Sequence, residues 1–192
     1  MDGTLVLAPH DWAGIRRRLG VGPGSILDQL HALPEPERSW RLAELDAMET
    51  AASRMARPAP GARELLHLLR RMGLRTALVT NNSRRSAEAV LARTGWRFDA
   101  LVTRDDGAWK PSPGPLLEAA RRLGVPIRRC AALGDAWLDF EAARAAGCGA
   151  VWLVEPAAAS HGEDADLAAP DLRGILAALD GDPLSLHEGS EP

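Results

Sequence analysis

Residues 130–154 read CAALGDAWLDFEAARAAGCGAVWLV, and their pattern decides the fold. Residues 130–133 are a short apolar run that reads as a strand. Residues 137–146 follow with helical periodicity, and residues 150–154 are a second unbroken apolar run. A strand, a helix of about ten residues and another strand form a parallel crossover. The flanking sequence repeats the theme. Residues 74–80 read as a buried strand, 83–94 as a helix with Ala87, Val90 and Leu91 on one face, and 100–103 as a short strand. Residues 113–123 are predicted helical, with Ser112 as N-cap and Pro113 at the first position. Residues 171–179 read as a last helix. This alternation implies an α/β fold, a three-layer α/β/α Rossmann-like arrangement with a parallel sheet covered on both faces.

Residues 10–57 follow another rule. Their apolar positions (Trp12, Ile15, Leu19; Ile26, Leu27, Leu30; Trp40, Leu42, Leu45, Met48) fit two or three helices and no strand. Pro34 and Pro36 interrupt the segment, and Pro58-Ala59-Pro60-Gly61 closes it. It reads as a small helical lobe inserted into a core made of residues 1–9 and 58–180, with 181–192 as a polar, frayed tail.

A chain of 192 residues, 46% of them hydrophobic, can bury one good core plus a small lobe. A formal net charge of -3 gives no electrostatic reason to invoke nucleic acid or an anionic membrane. No apolar stretch is long enough to span a bilayer, and no basic region followed by an apolar run marks a secretory signal. With only Cys130 and Cys148, a disulfide framework is not expected. Both read as small buried hydrophobes in a reducing compartment, so a cytoplasmic globular protein is expected. The six Trp residues are expected to pack in the core or the lobe. Oligomeric state has no signature in the composition.

In an open parallel sheet, ligands bind beyond the carboxyl ends of the strands. The polar residues that follow each predicted strand are therefore the candidates. After residue 79 come Thr80, Asn81, Asn82 and Ser83. After the strand at 100–103 come Asp105, Asp106 and then Lys110-Pro111. After residue 133 come Gly134 and Asp135, with Asp139 four residues on and on the same helical face. The chain opens on Met1-Asp2-Gly3-Thr4-Leu5. Carboxylates suit a hard cation such as Mg²⁺. A lysine and a hydroxyl can hold phosphate oxygens, and an aspartate can attack phosphorus. That inventory points to phosphoryl transfer. Asp105 and Asp106 read as turn residues. His10, His31, His67, His161 and His187 lack ligand spacing and are assigned to no site. Arg16, Arg17 and Arg18 are expected on a solvated helix face, with contact to a substrate anion as the alternative.

Four segments in this order resemble the haloacid dehalogenase (HAD) superfamily. Asp2-Gly3-Thr4-Leu5 is similar to the second half of its D-x-D-G-T-L signature. Leu78-Val79-Thr80-Asn81 is similar to the segment in which Thr or Ser closes the second strand, Lys110-Pro111 to the motif lysine, and residues 134–139 to G-D-x-x-x-D. The resemblance runs from residue 1 to about residue 180. It implies that Asp2 is the general acid/base and offers its backbone carbonyl to Mg²⁺. It implies that Gly3, Thr4, Thr80, Asn81 and Lys110 surround the phosphoryl group, with Thr80 and Lys110 counted among the catalytic residues. Asp135 would ligate Mg²⁺, and Asp139 would act through a metal-bound water or by orienting Lys110. The helical lobe corresponds to the family's cap, as in phosphoglycolate phosphatases and β-phosphoglucomutases.

The family's nucleophile is the first Asp of D-x-D-G-T, and Met1 falls on the x. An in-frame start set too late, with the nucleophile and an apolar strand upstream, is the favoured account; a true loss of the nucleophile is the other. The expected function is Mg²⁺-dependent hydrolysis of a small phosphorylated metabolite, a phosphate monoester, through an aspartyl-phosphate. A sugar phosphomutase and a non-catalytic phosphate-binding module are the alternatives. Dehalogenation is disfavoured, because Asp2 supplies an acid/base that it does not need.

Overall fold

The computed structural model describes residues 1–154 and 164–181. The expected tail beyond Gly181, and with it His187, lies outside the described residues, as does His161. The chain begins with a turn into β1 (Val6–Leu7). It continues through three helices, α1 (Trp12–Leu19), α2 (Ile26–His31) and α3 (Glu37–Ser53), and returns at β2 (Arg57–Pro58). From there the expected alternation takes over: α4 (Ala62–Arg71), β3 (Ala77–Val79), α5 (Arg84–Thr94), β4 (Ala100–Val102), α6 (Gly114–Leu123), β5 (Ala131–Gly134), α7 (Trp137–Ala146), β6 (Ala150–Val154), β7 (Leu167–Ala169) and α8 (Leu172–Gly181).

β3 runs parallel to β4, with Leu78 opposite Leu101. β5, β6 and β7 form a second parallel set in that order, with Leu133 opposite Trp152. β6 shows why its sequence is apolar throughout. Trp152 and Val154 pack with Leu65 and Leu68 of α4 and Leu172, Ile175 and Leu179 of α8. Val151 and Leu153 turn the other way, toward Phe140 and Ala143 of α7. Alternate side chains thus meet helices on opposite faces, which makes the three layers. Full burial of a Leu or Ile such as Leu153 or Ile175 contributes about 1.5–3 kcal/mol each.

Among the described residues, the two parallel sets are not hydrogen-bonded to each other. Side chains of residues 1–6 pack against both. Met1 and Val6 are buried with Leu78 of β3 and Val90 of α5, and Leu5 also packs against the α4/α8 cluster.

The helical lobe has its own core of Ile15, Leu19, Leu27, Leu30 and Leu45. In α1, Ile15 and Leu19 are one turn apart and point inward. Asp11 caps the start by accepting from Gly14 N at 2.8 Å, and Gly20 ends the helix in the left-handed region.

Several expectations need correction. The strand expected at 74–80 is ordered as strand only over Ala77–Val79. The helix expected from Pro113 begins at Gly114. Pro113 is the N-cap, and the Ser112 hydroxyl accepts only from Gly114 N, at 3.2 Å. The lobe segment was expected to lack strands, yet Arg57 belongs to β2, which pairs antiparallel with β1. The tryptophans are not uniformly interior: Trp152 is buried, but Trp12, Trp40 and Trp137 are exposed.

Candidate active site

Each candidate side chain stands where a strand gives way to a loop or helix. Thr80 follows β3, and Lys110 lies in the loop between β4 and α6. Asp135 follows β5, and Asp139 sits in the first turn of α7. Asp2, Gly3 and Thr4 form the turn before β1, closed by Gly3 N to Val6 O at 2.9 Å. One cavity of about 410 Å³ is lined by Asp2, Gly3, Thr80, Asn81, Lys110, Asp135 and Asp139 together. Of the expected site residues, Thr4 lies just behind this wall, donating to Asp135 Oδ1 at 2.5 Å.

Two glycines permit the close packing. Gly3 has φ +76°, and a Cβ there would come within 2.0 Å of Asp135 Oδ2. A Cβ on Gly134 would strike Asp139.

Asp2 is held from two sides. Asn82 Nδ2 donates to Asp2 Oδ2 at 2.7 Å. His10 Nε2 lies 3.2 Å from Asp2 Oδ1, near enough to pair charges but not aligned as a hydrogen bond. Burial opposes ionisation of Asp2, but His10, the chain's amino group and Asn82 outweigh it and hold the carboxyl below its usual range. The assignment of His10 to no site is therefore corrected. Asn82 and His10 both belong to the surroundings of Asp2.

Lys110 is buried, and its ammonium donates to Asp139 Oδ1. The other Asp139 oxygen accepts from Ala136 N at 3.1 Å and Asp135 N at 3.3 Å, which pins the carboxylate at the start of α7. Burial works against the charge on Asp139, but the Lys110 ammonium, the chain's amino group and the Ala136 N–H together outweigh it, leaving the carboxyl below its usual range. Asn81 uses its side chain as a clamp. It donates to Lys110 O and accepts from Lys110 N, both at 2.8 Å.

Asp135 differs from Asp139. Burial pushes its carboxyl up, and the nearby Asp139 charge adds to the effect. It is a half-buried carboxylate whose charge would be relieved by a cation. Among the described residues, no three His, Cys, Asp or Glu side chains converge as a metal cluster. Mg²⁺ does not demand one, since it is commonly held by one or two carboxylates with water and substrate phosphate completing the shell. Asp135, on the cavity wall, fits that pattern.

The lobe reaches the same cavity through Glu49 of α3 and Arg16 of α1. Burial pushes the Glu49 carboxyl up to about 7, against the pull of Arg104, whose Nη1 donates to Glu49 Oε2 at 2.5 Å. The same Nη1 also donates to Asn81 O at 3.1 Å. Asp46, one turn earlier in α3, accepts from the Ser83 hydroxyl at the start of α5. Neither Glu49 nor Arg104 carries a motif, and no spacing rule would have paired them. Truncating Glu49 to Ala should destabilise the protein by about 2 kcal/mol in urea unfolding at pH 5, below the raised Glu49 value, because Arg104 loses its hydrogen-bonded partner and keeps only Asp46, 3.8 Å away. A loss below 1 kcal/mol would show that solvent reaches Arg104 readily. The residues expected to be turn formers are so. Asp105 accepts from Arg84 N at 2.8 Å, and Asp106 pairs with Arg84 and Arg122; against the opposing effect of burial, Arg122 and the Thr103 N–H and hydroxyl hold the Asp106 carboxyl at about 2.

Residues 1–147 match the family described as haloacid dehalogenase-like hydrolase. An uncharacterized hydrolase of Saccharomyces cerevisiae is 31% identical over 190 residues, covering 92% of this chain and 86% of that protein. A phosphoglycolate phosphatase of Chromobacterium violaceum is 35% identical over 162 residues, covering 79% of this chain and 72% of that protein. Among solved structures, a hydrolase from Pseudomonas syringae superposes with a TM-score of 0.76 at 23% identity, over 94% of this chain and 95% of that one.

Proposed function

Because this chain belongs to the haloacid dehalogenase-like hydrolase family and is a phosphatase, we propose that it hydrolyses a small phosphate monoester through an aspartyl-phosphate, with Mg²⁺ at Asp135. The observation that carries this reading is the meeting of Asp2, Thr80, Lys110, Asp135 and Asp139 around one cavity. Mg²⁺, held by Asp135 and the Asp2 carbonyl, would offset charge on the phosphoryl oxygens.

The roles then follow from position. The Thr80 hydroxyl and the Asn81 main-chain N–H bind phosphoryl oxygens, and the Lys110 ammonium faces the charge that grows on them. Asp139 orients Lys110, the second of the two roles open to it from sequence. A carboxylate directly ahead of Met1 attacks phosphorus. The bond to the leaving oxygen breaks as Asp2 gives that oxygen a proton. Water then attacks the phosphorus of the aspartyl-phosphate. Asp2 takes its proton, and the carboxylate leaves as it began. His10 and Asn82, which favour the ionised Asp2, suit it to the second half-cycle, in which it must accept a proton. For the first half-cycle, an arriving dianionic phosphate raises its proton affinity by adding negative charge beside it.

The helical lobe, residues 10–57, serves as the cap over this site, and the substrate is a phosphorylated metabolite of the phosphoglycolate type. The test of the metal assignment is Asp135→Asn in protein that carries the upstream aspartate. The Mg²⁺ concentration for half-maximal phosphate release should rise at least about tenfold, the equivalent of one charge-assisted contact. Chelator should abolish release by the wild type. An unchanged Mg²⁺ requirement in the variant would remove Asp135 from the metal site.

A further inference from the structure

The cavity contains a cation that the chemistry above does not use. Trp12 and Arg16, four residues apart in α1, share the helix face that looks into it. Arg17 and Arg18 are exposed, and Arg18 Nε is neutralised by Glu44 at 2.5 Å. Arg16 is half-buried, and among the described residues no carboxylate lies within ion-pair distance of it. It is held by neutral partners instead: one terminal nitrogen donates to Gly22 O, and Nη2 donates to Gly24 O at 2.7 Å. A guanidinium has five N–H groups, so three remain free. The other strong cation on the cavity wall, Lys110, is already paired with Asp139.

Resting on the phosphatase reading, we propose that Arg16 is the specificity-determining residue that receives a carboxylate on the leaving group of the phosphate monoester. The turn at residues 20–25 fixes the guanidinium through Gly22 and Gly24. Little side-chain freedom is then left to lose when an anion arrives. Its remaining donors suit the planar oxygen pair of a carboxylate. A single negative charge also matches the supply. Asp2, Glu49, Asp135 and Asp139 line the same cavity, and a second dianionic phosphate facing them would find only one unpaired guanidinium. Trp12, stacked on His10 at 4.6 Å between ring centres, walls the space between Arg16 and Asp2 with apolar surface.

The experiment is calorimetric titration, in Mg²⁺, of protein carrying the upstream strand with its attacking aspartate changed to asparagine, using 2-phosphoglycolate and ethyl phosphate, which replaces the carboxylate by a methyl group. The wild type should bind 2-phosphoglycolate at least tenfold tighter than ethyl phosphate. Arg16→Gln should reduce that preference to twofold or less while leaving the affinity for ethyl phosphate within twofold of wild type. Arg17→Gln should keep the full preference. No preference in the wild type, or a preference that survives in Arg16→Gln, overturns the assignment. Equal loss of affinity for both ligands overturns it too, since Arg16 would then be only a brace for the 20–25 turn. Phosphate release by protein carrying the upstream aspartate separates the two readings. An Arg16-dependent preference without release leaves the carboxylate subsite standing and removes the phosphatase mechanism. Release without that preference does the reverse.

Discussion

Protein extended upstream of Met1 by an apolar strand that ends in aspartate should release phosphate from a monoester at least about 10⁴-fold faster than the 192-residue chain, because the attacking group is then present. Its unfolding should also become sharper and occur at higher temperature. The geometry places the added strand. Asn82, just past β3, bonds Asp2, and Asp135, just past β5, bonds Thr4, so residues 2–4 bridge the two parallel sets. In the described residues β3 pairs only with β4, and β5 only with β6. A strand entering Asp2 from upstream would pair with both free edges and join the sets into one sheet. About five apolar side chains on such a strand, at 1.5–3 kcal/mol each, contribute on the order of 10 kcal/mol, comparable with the whole stability of a typical domain, about 5–15 kcal/mol. Phosphate release and thermal melts of both proteins at one Mg²⁺ concentration decide the matter. Equal rates and equal melts would mean that residues 1–192 contain a different nucleophile.

Lys110→Ala should lower kcat by about a thousandfold on any phosphate monoester, the upper end of the effect of removing one preorganised donor. The structure gives the reason for expecting that end of the range. The Lys110 backbone is clamped at both N and O by Asn81, and its ammonium is set by Asp139, which is itself pinned by two main-chain N–H groups. A charge fixed this firmly needs no reorganisation as the phosphoryl group loads with charge. Lys110→Arg should recover little of the loss, because a planar fork cannot occupy the space of an ammonium at the buried site. Turnover within threefold of wild type for both variants would return Lys110 to a purely structural ion pair with Asp139.

The parts of the fold that were legible are those where local signals and burial agree. α7 and β6 begin and end where the sequence places them, because Gly147 supplies a left-handed stop and both faces of β6 are covered. The two-residue strands β1 and β2 are too short to show a period, and β7 is three residues of Leu and Ala with nothing alternating around it. At the site, Thr80, Lys110, Asp135 and Asp139 were found because strand ends converge in any sheet of this kind. His10, Asn82 and Glu49 were not. Asn82 meets Asp2 across 80 residues of chain, and Glu49 meets Arg104 across 55. The first is set by how the core assembles and the second by how the lobe packs on the core, and no spacing along the chain records either. Asn82 had one visible signal, its place in a polar run directly after a strand.

The placement of Glu49 and His10 bears on how this protein could be re-engineered. A designer seeking a new substrate preference would transplant the helical lobe from a relative, cutting near residues 10 and 57. That graft would carry away His10, which flanks Asp2, and Glu49, which neutralises Arg104 beside Asn81. The host would lose its acid's neighbour and gain a bare buried cation. The exchangeable cassette is therefore shorter than the lobe. It starts after His10 and stops before Asp46, which bonds Ser83 and pairs with Arg104, leaving the second half of α3 to the recipient.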